Sequence, residues 1–221
     1  MTTFTMKQRR TRAMDWLEII YKDVQDVLVD HHIFWEVQTM IKANEQLKAT
    51  PSHFFQWMGT NFIASAAVAV RRQADADARA VSLRRLLEEL KKYPDLFSRA
   101  YHTGLYGAQF PAGYADGCYD RIVGKGCAVL DAAAINGEIQ LLIAKTDAIK
   151  HYVDRRVAHY DSRGITQAKP TFNDLDDCLK YLEHLVKRYQ LLMKATSLSQ
   201  LLPAFQYDWQ KIFRIPWIEQ Q

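Results

Sequence analysis

Apolar residues recur every three to four positions along most of this chain, which is typical of helices that bury one face. The pattern predicts helices over 14–47, 52–72, 83–93, 125–160 and 174–195. We expect Asp30 to break the first of them, and Ser52, Ser82 and either Thr171 or Asn173 to cap later ones. Because almost no stretch alternates with the period of a strand, the predicted fold class is all-α, a bundle of about five to seven helices.

The chain divides into three segments that we expect to form one domain with two appendages. Residues 1–12 are predicted to be a basic N-terminal tail that frays into solvent, and residues 13–197 to be the helical bundle. Within the bundle, residues 101–117 hold four of the nine glycines and one proline, so they are predicted to be a loop. Residues 198–221 form an aromatic C-terminal segment that we expect to pack on the bundle or on a partner.

The net charge of +4 in 221 residues comes from one end of the chain. Residues 1–12 hold four basic residues and no acidic one, so residues 13–221 hold 25 of each. A body without net charge argues against a general DNA-binding protein. No apolar stretch approaches the ~18 residues that span a bilayer, and no leader pattern precedes the first helix, so we expect a cytoplasmic protein without a membrane partner.

Three cysteines, Cys118, Cys127 and Cys178, are too few and too widely spaced for a disulfide scaffold or a zinc cluster. We therefore expect free thiols, and we expect the protein to work without a metal or another cofactor. The His31-His32 pair has no partner at the spacing of metal ligands.

One segment, residues 150–161, concentrates the residue types that carry acid–base chemistry. If it is helical, its side chains fall on three stripes: His151, Arg155 and His159 on the first, Arg156 and Tyr160 on the second, and Asp154 and Asp161 on the third. Cleavage of an RNA phosphodiester without metal needs a base for the 2′-hydroxyl proton and a cation for the transition-state charge. Histidine and arginine suit these two roles, although such clusters are more often surface ion pairs.

The end of this segment, Val157-Ala158-His159-Tyr160-Asp161, resembles the signature of HEPN domains, in which an arginine and a polar residue precede an Ala-His pair. A second stretch, residues 70–75 followed by 81–87, resembles the abortive-infection branch of that family. There, an arginine-rich helix end precedes a Ser-Leu-x-x-Leu-Leu helix. Together the two motifs suggest a HEPN-like helical bundle across roughly residues 15–195.

The resemblance implies a metal-independent endoribonuclease of a toxin or antiphage system, acting as a homodimer on RNA. It also implies an antitoxin or regulatory protein as a partner. His159 would be the general acid or base, and Arg155 is a nearby cation that can share its face. The supporting or substrate-binding candidates are Asp154, Arg156, Tyr160, Asp161, His151, Arg71 and Arg72.

The chain departs from the family pattern at Val153, which stands where an arginine often precedes the histidine. HEPN domains that lack this arginine can persist without activity. A catalytically inactive dimer that binds proteins or RNA is therefore the alternative function. Arg71, Arg72, Asp75 and Asp77 either line the same cleft or form a solvated cluster of ion pairs.

Overall fold

The structure, a computed structural model, describes residues 4–157 and 169–217, and every regular element in these ranges is helical. The α-helices are α1 (Met6–Ala43), α2 (Glu45–Ala49), α3 (His53–Gln73), α4 (Leu83–Lys92), α5 (Arg99–Thr103), α6 (Tyr114–Val123), α7 (Ala132–Tyr152) and α8 (Phe172–Lys194). A π-helical turn (Val153–Val157) continues α7, and a 3₁₀ helix (Trp209–Arg214) lies near the C-terminus. The all-α, single-domain prediction is confirmed. Six of the described α-helices have ten or more residues, within the predicted range.

Helix α1 is one uninterrupted helix of 38 residues, so the predicted break at Asp30 is wrong. Asp30 lies exposed in the middle of the helix. An acidic residue on a solvent-facing stripe does not end a helix, and residues 6–43 contain no glycine or proline that would. The helix starts at Thr5, whose side chain and that of Gln8 form a reciprocal capping box.

The predicted frayed N-terminal tail is also wrong for residues 6–12, which form the first turns of α1. Arg9 and Arg12 contact the same carboxylate, Glu89 on α4, at 3.0 and 2.6 Å. Arg10 donates from Nε to the backbone carbonyl of Leu96 at 2.8 Å. Basic residues near a chain end are thus held by partners that lie far away in the sequence.

Helices α3 and α4 begin as the sequence predicts, at Ser52 and Ser82. Ser82 is fully buried, and its Oγ accepts from the amide of Arg85 and donates to the carbonyl of Asp75 at 2.6 Å. The Gln73 side chain accepts from the amide of Leu83 at 3.0 Å. The start of α4 is therefore tied directly to the end of α3.

The predicted loop over residues 101–117 is shorter in the structure, because helices occupy both of its ends. Helix α5 starts after the N-cap Ser98 and runs to Thr103, and α6 starts at Tyr114 after Gly113, whose φ of 78° suits glycine. Aromatic residues of this stretch contact one another. The rings of Tyr106 and Phe110 lie 5.1 Å apart.

Helix α7 starts at Ala132, seven residues later than predicted, because Gly124 and Gly126 take positive φ and Asp131 supplies the N-cap. Helix α8 starts after Thr171, one of the two predicted caps, in a second capping box with Asp174. Both helices pack into the bundle. Helix α7 lies against α3, α4 and α8, and α8 also contacts α1.

The core lies between α1, α3, α4, α7 and α8, around fully buried leucines such as Leu17, Leu86, Leu142 and Leu185. The C-terminal segment contacts α1, where Phe205 stacks on His32 with ring centroids 5.4 Å apart. Among the described residues, no helix has the length and apolarity that a bilayer crossing requires. The packing of α3 against α7 positions the candidate site described next.

Candidate functional site

The predicted site divides between described and undescribed parts of the chain. His159, Tyr160 and Asp161 lie outside the described residues. His151, Asp154, Arg155 and Arg156 are described, at the end of α7 and in the π-helical turn that follows. The positions of Arg71 and Arg72, in the last turn of α3, are also described.

The segment that was predicted to be a regular α-helix widens into a π-helical turn at Val153–Val157. Such turns are rare and often occur at functional sites, because one extra residue per hydrogen-bonded ring re-aims the side chains. Val153 is 2 % exposed and packs in the hydrophobic core. Asp154 and Arg155 are partly exposed, and Arg156 is exposed. The site therefore lies on the outer side of a turn whose inner side is anchored by Val153.

Asp154 is the centre of an ion-pair cluster that joins two helices. The Nε of Arg71 donates to its Oδ1 and the Nζ of Lys150 donates to its Oδ2, each at 2.6 Å. Arg71 also contacts Asp75 at 3.3 Å through Nη1. We call these four residues the Asp154 cluster. Because helix α3 packs against the π-helical turn, residues 83 positions apart meet here.

The electrostatics of the cluster favour the charged forms of Asp154 and Arg71. Burial raises the pKa of Asp154, but hydrogen bonds from Lys150 and Arg71 outweigh it and hold that pKa below its ordinary value. The hydrogen bond to Asp154 raises the pKa of Arg71 against the opposing effect of desolvation. About a third of each side chain remains exposed, 36 % for Arg71 and 33 % for Asp154. The guanidinium is therefore both oriented and accessible to solvent.

Arg72 does not join this cluster, although the sequence placed it beside Arg71. Its Nη2 and Nε contact Asp23 on α1 at 2.5 and 3.2 Å. The side-chain Nε2 of Gln73 donates to the same carboxylate at 2.5 Å. Successive residues of a helix point about 100° apart, so neighbouring arginines serve different faces. The two arginines therefore have different surroundings. Arg71 lies against the predicted segment, whereas Arg72 forms an ion pair that joins α3 to α1.

Two members of the cluster, Lys150 and Asp75, were not among the predicted site residues, although Asp75 was among the residues that could line the cleft. Lys150 lies four residues before Asp154, a spacing at which helical side chains meet, so the sequence contained that signal. Asp75 lies four residues after Arg71 in the same way, but its relevance depends on Arg71 reaching the site. His151 and Arg155 each interact with other groups in the protein.

The Asp154 cluster contains two cations, Arg71 and Lys150, and two carboxylates, Asp75 and Asp154. Among the described residues, no three His, Cys, Asp or Glu side chains come together where they would hold a metal ion. Arg71, Lys150 and Arg156 are each at least partly exposed within one region of the surface. Arginine can contact two oxygens of a phosphate at once, whereas lysine acts as a compact point charge.

Comparison with known proteins identifies the class that the helical fold and the two motif segments indicate, a HEPN-type domain of the abortive-infection kind. The family model HEPN_AbiU2, described as AbiU2, matches residues 15–212. Since the match covers most of the chain, the protein belongs to the AbiU2 family of HEPN domains. No curated protein and no solved structure matches the chain. The resemblance stated from the sequence is thereby confirmed at the level of family and fold.

Proposed function

We propose that this protein is a metal-independent endoribonuclease of a toxin or antiphage system that acts by abortive infection. The observation that carries the proposal is the 2.6 Å contact between Arg71 and Asp154. It brings a guanidinium from α3 to the segment that leads to His159. In this proposal, the arginine that the signature lacks in this chain is supplied by Arg71 from a neighbouring helix.

In the proposed reaction the 2′-oxygen of a nucleotide attacks the adjacent phosphorus as His159 takes its proton. The new bond is O2′–P, the bond that breaks is P–O5′, and the leaving O5′ receives a proton. The products are a 2′,3′-cyclic phosphate and a 5′-hydroxyl. The proposed reaction needs no oxidant, metal or cofactor. A histidine serves because its ordinary pKa lies near neutral pH.

Arg71 and Arg155 are the proposed phosphate-stabilising cations. The side chain at position 153, where the family pattern has arginine, is a buried valine that belongs to the core. Arg71 fills that chemical role from α3, and Asp154 orients it by binding Nε. His151, Arg156, Tyr160 and Asp161 are proposed to support the site or to contact the substrate. Arg72 is proposed to support the site only indirectly, because its ion pair with Asp23 holds α3 against α1.

The test is incubation of the purified protein with RNA in EDTA, followed by analysis of the fragment ends. We expect cyclic phosphate ends from the wild type and a loss of about 10²-fold or more in His159→Ala. Arg71→Gln should lose about 10-fold to 10²-fold. Arg79→Gln is the matched control, because its side chain is 91 % exposed and pairs only locally, with Asp77. Cleavage that His159→Ala leaves unchanged would contradict the proposal.

The second candidate function is a catalytically inactive HEPN homodimer that binds a protein or RNA. It is favoured by Val153, because the arginine of the family pattern is replaced by a side chain that faces the core. Light scattering should then give a dimer, and an affinity pull-down should recover a specific partner, such as an antitoxin or a regulatory protein. A monomer that recovers no partner and cleaves no RNA would exclude this function.

The cellular setting follows from the same proposal. Endogenous or phage RNA is available in the cytoplasm, which is where we propose the protein acts. A homodimer would bring two copies of the segment around His159 to one groove, and an antitoxin or regulatory protein would restrain it. Sedimentation equilibrium of the purified chain tests whether it forms a homodimer. A monomer mass that does not change with concentration would contradict the homodimer.

A further inference from the structure

Away from the Asp154 cluster, arginines of α1 and α4 form a positively charged surface. Arg9 and Arg12 share the carboxylate of Glu89, at 3.0 and 2.6 Å. Arg84 and Arg85 share that of Glu88, at 3.2 and 3.6 Å. We call these six residues the α1–α4 arginine surface. In each group one carboxylate faces two guanidinium groups, so each group retains one positive charge.

Aromatic rings connect and orient these arginines. The guanidinium of Arg9 lies 4.0 Å from the ring centroid of Tyr93. Trp16 lies between the two groups, 5.1 Å from the guanidinium of Arg12 and 5.9 Å from that of Arg85. Stacked guanidinium groups keep a fixed plane, so their unused donors are held ready for an oxygen acceptor. The Nε atoms of Arg12 and Arg85 are buried and have no hydrogen-bond partner among the described residues, so they are not among the donors that a ligand could reach.

The charge of this region exceeds that of the whole protein. Residues 6–12 and 83–92 together contain eight Lys or Arg and two Glu, an excess of six positive charges. The complete chain has a net charge of +4. Lys7 and Lys92, at the edges of the region, are both exposed. Such an excess of cations in two helix segments that contact each other attracts a polyanion.

We propose that the α1–α4 arginine surface binds the phosphate backbone of single-stranded RNA. The surface combines cations with aromatic rings, and Phe4, which lies 4.7 Å from the Arg12 guanidinium, is 41 % exposed. Nucleic acid offers both matching partners, phosphates for the arginines and bases for the rings. An acidic peptide offers only the charge. This inference rests on the proposed function in taking RNA as the ligand.

The surface also has a defined relation to the proposed catalytic region. Helix α4 begins at Leu83, and its cap Ser82 is bonded to Asp75 at 2.6 Å. Asp75 in turn contacts Arg71 of the Asp154 cluster. An RNA strand that follows α4 towards its N-terminus would therefore approach the Asp154 cluster.

The test measures binding of RNA that no ribonuclease of this mechanism can cleave. A labelled oligouridine of about 20 nucleotides carries 2′-O-methyl groups, so it lacks the attacking hydroxyl. Fluorescence anisotropy is followed across a range of salt concentrations for the full-length protein. We expect Lys7→Gln/Lys92→Gln and Arg84→Gln/Arg85→Gln each to weaken binding about 10-fold. The slope of log affinity against log salt should fall by about one to two, as expected for two lost phosphate contacts.

The matched control is Lys48→Gln/Lys211→Gln, which removes the same charge from exposed positions on α2 and the 3₁₀ helix. It should bind within about twofold of the wild type if the effect is local rather than due to net charge. Lys7 and Lys92 lie exposed, so their variant keeps the test valid if Arg84→Gln/Arg85→Gln is unstable. Circular dichroism melting checks each fold.

Three results would overturn the proposal: unchanged affinity in both surface variants, an equal loss in the control, or equal displacement of the RNA by polyglutamate of the same charge. The last result would mean that the surface recognises charge alone, as for an acidic protein partner. Because the probe cannot be cleaved, absence of ribonuclease activity leaves this test unaffected. Conversely, cleavage by the wild type together with unchanged binding by the variants would reject the surface and retain the proposed function.

Discussion

Arg71 and Asp154 stand 83 positions apart in the chain, and the Nε of the first lies 2.6 Å from Oδ1 of the second. Their contact fastens the end of α3 to the π-helical turn after α7. Lys150 completes the arrangement from the last turn of α7, also at 2.6 Å. A substitution that breaks this contact should therefore lower the free energy of unfolding and also reduce the proposed RNA cleavage.

The Arg71–Asp154 pair should contribute a modest, pH-dependent stabilisation. A double-mutant cycle with Arg71→Gln and Asp154→Asn should give a coupling free energy of about 0.5–1 kcal/mol at neutral pH, because both side chains are about one-third exposed. The pKa of Asp154 is lowered in the folded state. The coupling should therefore be complete above about pH 5 and disappear as the pH falls through that lowered pKa.

Urea unfolding of the four proteins between neutral and acidic pH measures this coupling. Arg79 and Asp77 form a matched exposed pair, 91 % and 44 % exposed, for a control cycle. Its coupling should be smaller. A coupling at Arg71–Asp154 that persists unchanged at low pH would show that the charge of Asp154 is not what binds the guanidinium.

Removal of the buried helix cap at Ser82 should destabilise the protein more than removal of an equivalent cap elsewhere. Ser82→Ala should cost about 2 kcal/mol, because its buried hydroxyl bonds both to Arg85 and to the carbonyl of Asp75. Ser52→Ala, at the more exposed start of α3, should cost about 0.5–1 kcal/mol. Denaturant unfolding of the two variants gives the comparison. Equal losses would show that the α3–α4 connection adds nothing to local capping.

The buried His102 should make the protein less stable at mildly acidic pH. Its Nδ1 donates to the carbonyl of Leu192 at 2.9 Å, while its Nε2 has no partner among the described residues. Burial lowers the pKa of His102, so the folded protein keeps it neutral. As the pH falls below about 6.5 the unfolded chain takes up the proton first, and stability should fall by up to about 1.4 kcal/mol per pH unit.

The measurement is the free energy of unfolding between pH 7.5 and 5.5 for the wild type and His102→Gln. The variant should lose this part of the pH dependence, although it should be less stable overall because the site is fully buried. His53→Gln, at an exposed position of α3, should retain the dependence of the wild type. A wild-type profile that is flat in this range would contradict the assignment of a neutral buried histidine.

The three thiols should differ sharply in reactivity. Burial raises the pKa of the Cys178 thiol to about 12, and its Sγ donates to the carbonyl of Lys145 at 3.0 Å. Cys118 is also buried, whereas Cys127 is partly exposed. Iodoacetamide at about pH 8 should label Cys127 in the native protein and the other two only in denaturant, as read by mass spectrometry. Early native labelling of Cys178 would contradict the packing of α8.

Helix starts could be predicted because their determinants are local. Ser52, Ser82 and Thr171 each cap through a side chain that bonds to a backbone amide two or three residues later. The predicted break at Asp30 failed for a related reason. A residue type that caps helices also occurs on their exposed faces, and the choice depends on whether the neighbouring apolar residues continue to find a core.

Residues in distant parts of the chain could not be paired from the sequence. Arg9 and Arg12 were assigned to a frayed tail because their partner, Glu89, lies 77 or more positions away on α4. The importance of Arg71 to the predicted segment was likewise open between two interpretations. Long-range ion pairs depend on which helix faces meet, and hydrophobic periodicity states only that a face is buried.

The sequence by itself determined the all-α class, the starts of α3, α4 and α8, and the HEPN motif around Ala158–His159, because periodicity, capping and short motifs are properties of neighbouring residues. Tertiary structure alone decided that Val153 is anchored in the core, that α7 ends in a π-helical turn, and that Arg71 meets Asp154. The physical reason is that these features arise from the packing of α3 against α7, where burial of apolar area sets the helix positions and charged side chains bind the partners they then reach.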